Sequence, residues 1–123
     1  MNGLLQDKRI VITGAARGLG YAFAAACAEQ GAQVVMCDIL QGELAESAQR
    51  LRQQGYRVED HAIYLADGEH IEQTFRVIGK QGAIDGLVNN AALATGVGGK
   101  DMFDYDPTLW DRVMTVNVKG TWL

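Results

Sequence analysis

Three glycines follow a short apolar run near the N-terminus and could form a loop that binds an anion. The run at 10–12 leads into Gly14, and Gly18 and Gly20 come before an alanine-rich segment. A turn from a strand into a helix directs backbone N–H groups and the positive end of the helix dipole at whatever lies above it. Glycines at these positions leave room for a pyrophosphate and let the helix pack close to the strand. The spacing therefore predicts a dinucleotide-binding loop, with Leu19 as its fourth member.

A carboxylate at the end of the second apolar run bears on the choice of cofactor. Asp38 follows the run at 34–37 and comes 18 residues after Gly20. A carboxylate there can accept hydrogen bonds from the adenosine ribose hydroxyls, and it repels a 2′-phosphate. Arg17, within the glycine loop, could reach a 2′-phosphate, the pyrophosphate or only solvent. We predict NAD as the cofactor, with NADP as the less favoured alternative.

Alternating strand and helix patterns predict the fold that positions these residues. Apolar runs without inside/outside alternation are typical of strands covered on both faces, as in a parallel sheet. Helical patterns with glycines near their ends separate the runs. We expect an α/β fold, a Rossmann-like doubly wound parallel sheet in strand order 3-2-1-4, truncated after about four strands and four helices. The predicted strands contain residues 10–12, 34–37, 62–65 and 87–88.

The last predicted helix carries one polar residue on an apolar stripe. It begins with Asp106 as N-cap and a proline at its first position. Trp110, Met114, Asn117 and Thr121 follow at steps of four, three and four, so we expect this stripe to face the sheet. Because an unsatisfied buried amide costs roughly 1–3 kcal/mol, Asn117 needs partners. It either bonds a nearby backbone group or water, or takes part in catalysis.

Four stretches in the same order resemble the short-chain dehydrogenase/reductase family. They are T-G-A-A-R-G-L-G at 13–20, L-A-D at 65–67, N-N-A-A at 89–92 and V-N-V-K-G at 116–120. The resemblance covers essentially the whole chain. Two positions depart from the family pattern: Gly68 replaces a usual valine, and Ala92 replaces the final glycine of N-N-A-G.

The resemblance implies further site residues. Asp67 and Gly68 would contact the adenine, and Asn90 with Ala91 would form the backbone wall near the nicotinamide-side ribose. Asn117 would hold a water on a proton relay to the catalytic lysine. From the residues alone, Asp67 is also a candidate N-cap of the third helix, and both roles can hold at once. The two asparagines at 89–90 could also form a simple turn after a strand.

The resemblance also implies an oxidoreductase that transfers hydride between a nicotinamide cofactor and a small-molecule alcohol or ketone. The family's catalytic serine and Y-x-x-x-K pair are missing, because no lysine follows any of the four tyrosines at the fourth position. We therefore expect the chain to be incomplete at its C-terminus and inactive alone, and its full-length parent to form a homo-oligomer. Two alternatives remain open: a non-catalytic dinucleotide-binding or regulatory module, and an enzyme that uses bound NAD for dehydration or epimerisation.

Composition excludes several other classes. The chain has 123 residues, 48% of them hydrophobic, and a net charge of −4. It fits a single domain over 1–123, without the basic cluster that nucleic acids or anionic membranes require. No apolar stretch is long enough to span a membrane, so we expect a cytoplasmic protein. Cys27 and Cys37 are predicted to be buried reduced thiols, and His61 and His70 ordinary side chains rather than metal ligands.

Overall fold

The computed structural model describes residues 3–94 and 96–123, which form a four-stranded parallel sheet and the helices that cover it. The strand order is β3-β2-β1-β4, which confirms the predicted fold class and order. The strands are β1 (Arg9–Thr13), β2 (Gln33–Asp38), β3 (Val58–Ala62) and β4 (Gly86–Val88). The helices are α1 (Gly18–Glu29), α2 (Gln41–Gln53), α3 (Gly68–Lys80) and α4 (Pro107–Met114), the last continuing as a π-helical segment (Thr115–Gly120).

Successive side chains of the two central strands enter different cores, as the alternation of a β-strand requires. Ile10 and Ile12 of β1 pack with buried residues of α1 and α2, whereas Val11 packs with Ile71 and Ile78 of α3. Both faces of the central strands are therefore covered, which explains why their sequences are continuously apolar.

The third strand does not lie where the apolar run predicted it. The prediction was 62–65, but β3 ends at Ala62, and the apolar residues belong to the loop that leads to α3. Ile63 in this loop is buried in the core against α3. The strand itself pairs only with β2 and carries half-buried polar residues. One of them, Glu59, accepts a hydrogen bond of 2.9 Å from buried Arg9. The prediction from the apolar pattern was wrong here, because β3 is a polar sequence. Its polar side chains can lie in the sheet since ion pairs such as Arg9–Glu59 satisfy them.

The last helix begins as predicted, but a different side of it, with half-buried Leu109, Val113 and Val116, faces the protein. Asp106 accepts a hydrogen bond from Thr108 N at 2.9 Å, and a proline occupies the first turn. The predicted stripe is wrong, because Trp110 is 55% exposed and Met114 and Thr121 are also exposed. Of that stripe only Asn117 is half-buried.

Close packing at Gly120 fixes how the end of the last helix lies on the protein. The chain is π-helical from Thr115 to Gly120, so the 3.6-residue period used for the prediction does not apply there, although Trp110 and Met114 precede this segment. Gly120 is buried and lies so close to the Leu65 carbonyl that a side chain would not fit between them. The segment therefore packs against the loop after β3 with Gly120.

Candidate functional site

The glycine loop joins β1 to α1, and its three glycines have different surroundings. Gly14 and Gly18 have φ angles of +68° and +60°, in the left-handed region. A Cβ on Gly14 would lie 2.8 Å from Asn90 Nδ2, and one on Gly20 would collide with the Gly14 carbonyl. A Cβ on Gly18 would meet no atom within 4 Å. Gly14 and Gly20 thus permit close packing, while Gly18 lies beneath open space.

The N-terminus of α1 lacks a side-chain cap. Its N-cap residue is Arg17, the first turn contains no acidic residue, and among residues 3–94 and 96–123 no side chain caps it. By contrast, Asp67 accepts from His70 N at the start of α3, and Asp106 does the same at α4. The first N–H groups of a helix have no partner within the helix, and the helix dipole makes that end positive. The α1 terminus is therefore suited to an anion.

Asp38 holds the loop in place through both oxygens of its carboxylate. Its Oδ2 accepts a hydrogen bond from Ala16 N, and its Oδ1 accepts one from Leu40 N, each at 3.0 Å. The residue is 8% exposed. Because an ionised carboxylate has about four lone-pair sites, Asp38 retains acceptor capacity for a ligand hydroxyl.

Arg17 projects from the same loop into solvent. Its side chain is 72% exposed, and its guanidinium lies 3.7 Å from the Glu43 carboxylate of α2. Exposed ion pairs of this kind are screened and weak, so the Arg17 side chain is free to adopt other positions. The carboxylate of Glu43 adds negative charge to the part of the site that contains Arg17.

A hydrogen-bond network joins the end of β4 to the end of β1. Thr13 Oγ1 accepts from Asn90 N at 3.1 Å and from Ala91 N at 3.0 Å. Asn90 Nδ2 donates to the carbonyls of Thr13 at 3.2 Å and Gly14 at 3.3 Å. Sequence reasoning missed Thr13, although a hydroxyl at the carboxyl end of the strand before the glycines was an available signal.

Asn117 bonds the main chain that follows β4. Its Oδ1 accepts from Leu93 N at 2.7 Å, and its Nδ2 donates to Leu93 O at 3.0 Å. Of the two roles left open for Asn117, this geometry matches the bond to a nearby backbone group.

A cleft of about 840 Å³ opens above the carboxyl ends of the strands, where open α/β sheets bind ligands. It brings together six of the predicted site residues: Gly14, Arg17, Gly18, Asp38, Asn90 and Ala91. Gly20 lies buried beneath the loop and Leu19 is exposed at the start of α1, both outside the cleft lining. Asn117 lies behind the cleft wall, bonded to Leu93, which does line the cleft.

Asp67 and Gly68 do not line this cleft. Asp67 Oδ1 accepts from His70 N at 3.2 Å, which is the N-cap geometry. Gly68 lines a separate groove on α3. The residues just before them, from Ile63 to Ala66, line the cleft instead.

Tyr64 forms part of the cleft wall and is held by two neighbouring side chains. Gln41 Nε2 donates to Tyr64 Oη at 2.6 Å, and Tyr64 N donates to His70 Nδ1 at 3.1 Å. The rings of Tyr64 and His70 have centroids 4.5 Å apart. Sequence reasoning also missed the polar residues that α4 and the start of the π-helical segment contribute to the cleft: Thr108, Asp111, Arg112 and Thr115.

The two cysteines are free thiols with low reactivity. Burial, with Asp38 and Glu59 nearby, raises the pKa of Cys37 to about 12, and burial also raises the pKa of half-buried Cys27.

Within 3–94 and 96–123, no cluster of three or more potential metal ligands occurs. No helix in the same part of the chain is long and apolar enough to cross a membrane.

Comparison with known proteins gives the family. The family model described as short chain dehydrogenase matches residues 8–123. The chain is 36% identical over 130 residues to "2-(S)-hydroxypropyl-CoM dehydrogenase 3" of Xanthobacter autotrophicus, covering all of this chain and 48% of that protein. The chain therefore belongs to the short-chain dehydrogenase family.

Solved structures agree with this assignment. A putative short chain dehydrogenase from Escherichia coli, complexed with NADPH, superposes with a TM-score of 0.89 at 30% identity, covering 97% of this chain and 50% of that one. A short chain dehydrogenase/reductase from Burkholderia phymatum, in complex with NAD, gives a TM-score of 0.87 at 31% identity, covering 96% and 41%. The chain thus spans about half the length of these relatives.

Proposed function

We propose that the cleft binds a nicotinamide adenine dinucleotide with its pyrophosphate at the N-terminus of α1. The observation that carries the proposal is the uncapped first turn of α1 beneath the open space at Gly18. A pyrophosphate supplies the acceptors and the negative charge that this turn lacks. The NADPH-bound and NAD-bound relatives support the same class of ligand.

Each part of the ligand has candidate partners along the cleft. The pyrophosphate would be held by backbone N–H groups of the loop, the adenosine ribose by Asp38, and the nicotinamide-side ribose by the main chain at Asn90 and Ala91. The loop members are those predicted from the sequence, Gly14, Gly18, Leu19 and Gly20. The adenine would lie against Leu65 and Ala66, which line the cleft. For Asp67 we propose the capping role, supported by its bond to His70.

The charges around Asp38 favour NAD over NADP. A 2′-phosphate on the adenosine ribose would lie beside the Asp38 carboxylate. Arg17, the cation of the loop, is already beside Glu43. We therefore propose that NAD is the cofactor of the parent protein.

When bound, the nicotinamide can give or take a hydride, and the proposed reaction interconverts an alcohol and a ketone. In this half of the enzyme, Asn117 fixes the Leu93 main chain at the cleft wall. Proton transfer is proposed to need the family's catalytic serine and a Y-x-x-x-K pair, and the 123 residues contain no Y-x-x-x-K pair. We propose a cytoplasmic homo-oligomer for the parent and cofactor binding without turnover for this chain.

Calorimetric titration with NADH and NADPH tests the cofactor proposal. We expect NADH to bind at least about tenfold more tightly, a difference of about 1.4 kcal/mol. Asp38→Asn should reduce this preference, because it removes the charge while its single amide oxygen can still accept one of the two backbone hydrogen bonds. Asp38→Ala is less informative, since it also removes the bonds to Ala16 and Leu40.

Glu29→Gln, at the far end of α1, is the control with the same change in net charge, and it should keep the preference for NADH. Tighter binding of NADPH by the unaltered protein would contradict the choice of NAD. Failure to bind either dinucleotide would contradict the site itself.

A further inference from the structure

The backbone of Ala16, in the middle of the glycine loop, is held from two sides. Its N–H donates to Asp38, and its carbonyl accepts a hydrogen bond of 2.5 Å from Ser47 Oγ on α2. Ala16 and Ser47 are 2% and 1% exposed. Ser47 therefore anchors the loop from beneath, outside the cleft lining.

Planarity of the peptide bond connects this buried contact to the cleft. The carbonyl of Ala16 and the N–H of Arg17 belong to one peptide plane and point in opposite directions. Because Ser47 holds the carbonyl toward α2, the Arg17 N–H is directed away from α2. Arg17 is a cleft-lining residue, and an N–H turned away from α2 would be available to a ligand in the cleft.

Arg50 determines where the Ser47 proton goes. Arg50 Nη2 donates to Ser47 Oγ at 3.0 Å. A guanidinium can only donate, so it occupies an acceptor site of the hydroxyl and leaves the single hydroxyl proton for Ala16. Without Arg50, a serine inside a helix can turn its proton to the carbonyl four residues earlier. Arg50 is itself placed by α1, since its guanidinium carbon lies 5.0 Å from the ring centroid of Tyr21.

We propose that Ser47, oriented by Arg50, is a positioning residue for the anion-binding loop. It acts through the Ala16–Arg17 peptide and sets the direction of a backbone donor before a pyrophosphate arrives. This inference rests on the proposed function, because it assigns a further residue to the same site.

Ser47→Ala should weaken binding of pyrophosphate-bearing ligands selectively. We expect the affinity for ADP-ribose to fall about tenfold, the effect of losing one hydrogen bond to a loop that must then order on binding. The affinity for adenosine, which has no phosphate, should change less than twofold. Both affinities are measured by ligand-observed NMR, with unfolding in urea as the check on folding.

Thr74→Val is the matched control. It removes a buried hydroxyl from α3, on the opposite side of the sheet, and should leave both affinities unchanged. Arg50→Met, at a more exposed position, is the second variant should Ser47→Ala fail to fold. Arg50→Met should also weaken the binding of ADP-ribose. The double variant should bind ADP-ribose no more weakly than Ser47→Ala does, because Arg50 acts through Ser47.

Different outcomes separate this inference from the proposed function. If the unaltered protein binds ADP-ribose and both Ser47→Ala and Arg50→Met bind it equally well, the positioning role is wrong while the site stands. Equal losses for ADP-ribose and adenosine would also overturn it, since they would indicate general damage. If the unaltered protein does not bind ADP-ribose, the proposed function itself is wrong.

Discussion

Two glycines of the same loop share a left-handed backbone but differ in what surrounds them. At Gly14 a methyl group would press on Asn90 and Ala91, while at Gly18 it would enter open space. The first glycine is required by packing within the protein, and the second by backbone conformation and by whatever occupies the cleft. Substitution by alanine separates these two requirements.

Gly14→Ala should destabilise the protein much more than Gly18→Ala. The left-handed conformation alone costs a non-glycine residue about 1–2 kcal/mol. We expect that loss at Gly18, and a loss greater than about 3 kcal/mol at Gly14, where the contact with Asn90 must also yield. Urea unfolding of both variants measures the difference. Equal losses would show that the crowding around Gly14 relaxes without cost.

For single residues, the sequence predicted which side chains form hydrogen bonds better than it predicted their bonding partners. Asp38 was identified as a hydrogen-bond acceptor for a ligand, and Asn117 as an amide that needs partners. Two of their partners, the backbone at Ala16 and at Leu93, lie more than twenty residues away and come close only in the folded chain, whereas the bond to Leu40 is local. Ser47 gave no sequence signal, because a serine inside an amphipathic helix is indistinguishable from a solvated one.

Helix capping separates α1 from the two later helices with acidic caps. The carboxylates of Asp67 and Asp106 satisfy the first turns of α3 and α4, whereas α1 has no such group. The sequence predicted the Asp106 cap and gave Asp67 as a candidate cap, because an acid before a helical pattern is a local signal. It did not predict the position of β3 or the buried side of the last helix. Those depend on the Arg9–Glu59 pair and on the contact between Gly120 and Leu65, which join distant segments.

Substitutions at Asp67 distinguish a cap from a ligand contact. Asp67→Ala should reduce the free energy of unfolding by about 1 kcal/mol, while Asp67→Asn, another good cap, should retain most of it. Neither change should alter the Kd for NADH by more than about twofold, since Asp67 lies outside the cleft lining. Asp106→Ala, the equivalent loss at α4, serves as the matched control for stability. A clear loss of NADH affinity in Asp67→Asn would instead support the adenine contact.

The whole molecule has two cores of unequal size on the two faces of the sheet. Twelve buried residues form the core with α1 and α2, and six form the core with α3. Arg9 ties the smaller side together, donating from its guanidinium to the carbonyls of Ile78 and Gly82 and to Glu59. A polar N-terminal segment gave no indication that Arg9 would be buried, because its partners lie 50 or more residues away.

Cys37 offers a probe of the smaller core. Its side chain is fully buried and its pKa is raised to about 12, so very little thiolate exists at pH 8. We expect a thiol-specific disulfide reagent to react with Cys37 of the folded protein only at the rate at which the core opens. In urea, where the pKa returns toward its ordinary value, reaction should be immediate. Cys27→Ser isolates the signal, and rapid labelling of that folded variant would contradict the burial of Cys37.

The uncapped turn of α1 also links folding to the composition of the solution. In the unliganded protein the first N–H groups of α1 have no side-chain cap and are left to bond water. A ligand that binds only the folded chain adds RT ln(1 + [L]/Kd), about 2.7 kcal/mol at a hundredfold excess over Kd. For a small domain with a marginal free energy of folding, that increment is a large share of the total. A dinucleotide bound at this turn, as proposed, would therefore raise the fraction of the chain that stays folded.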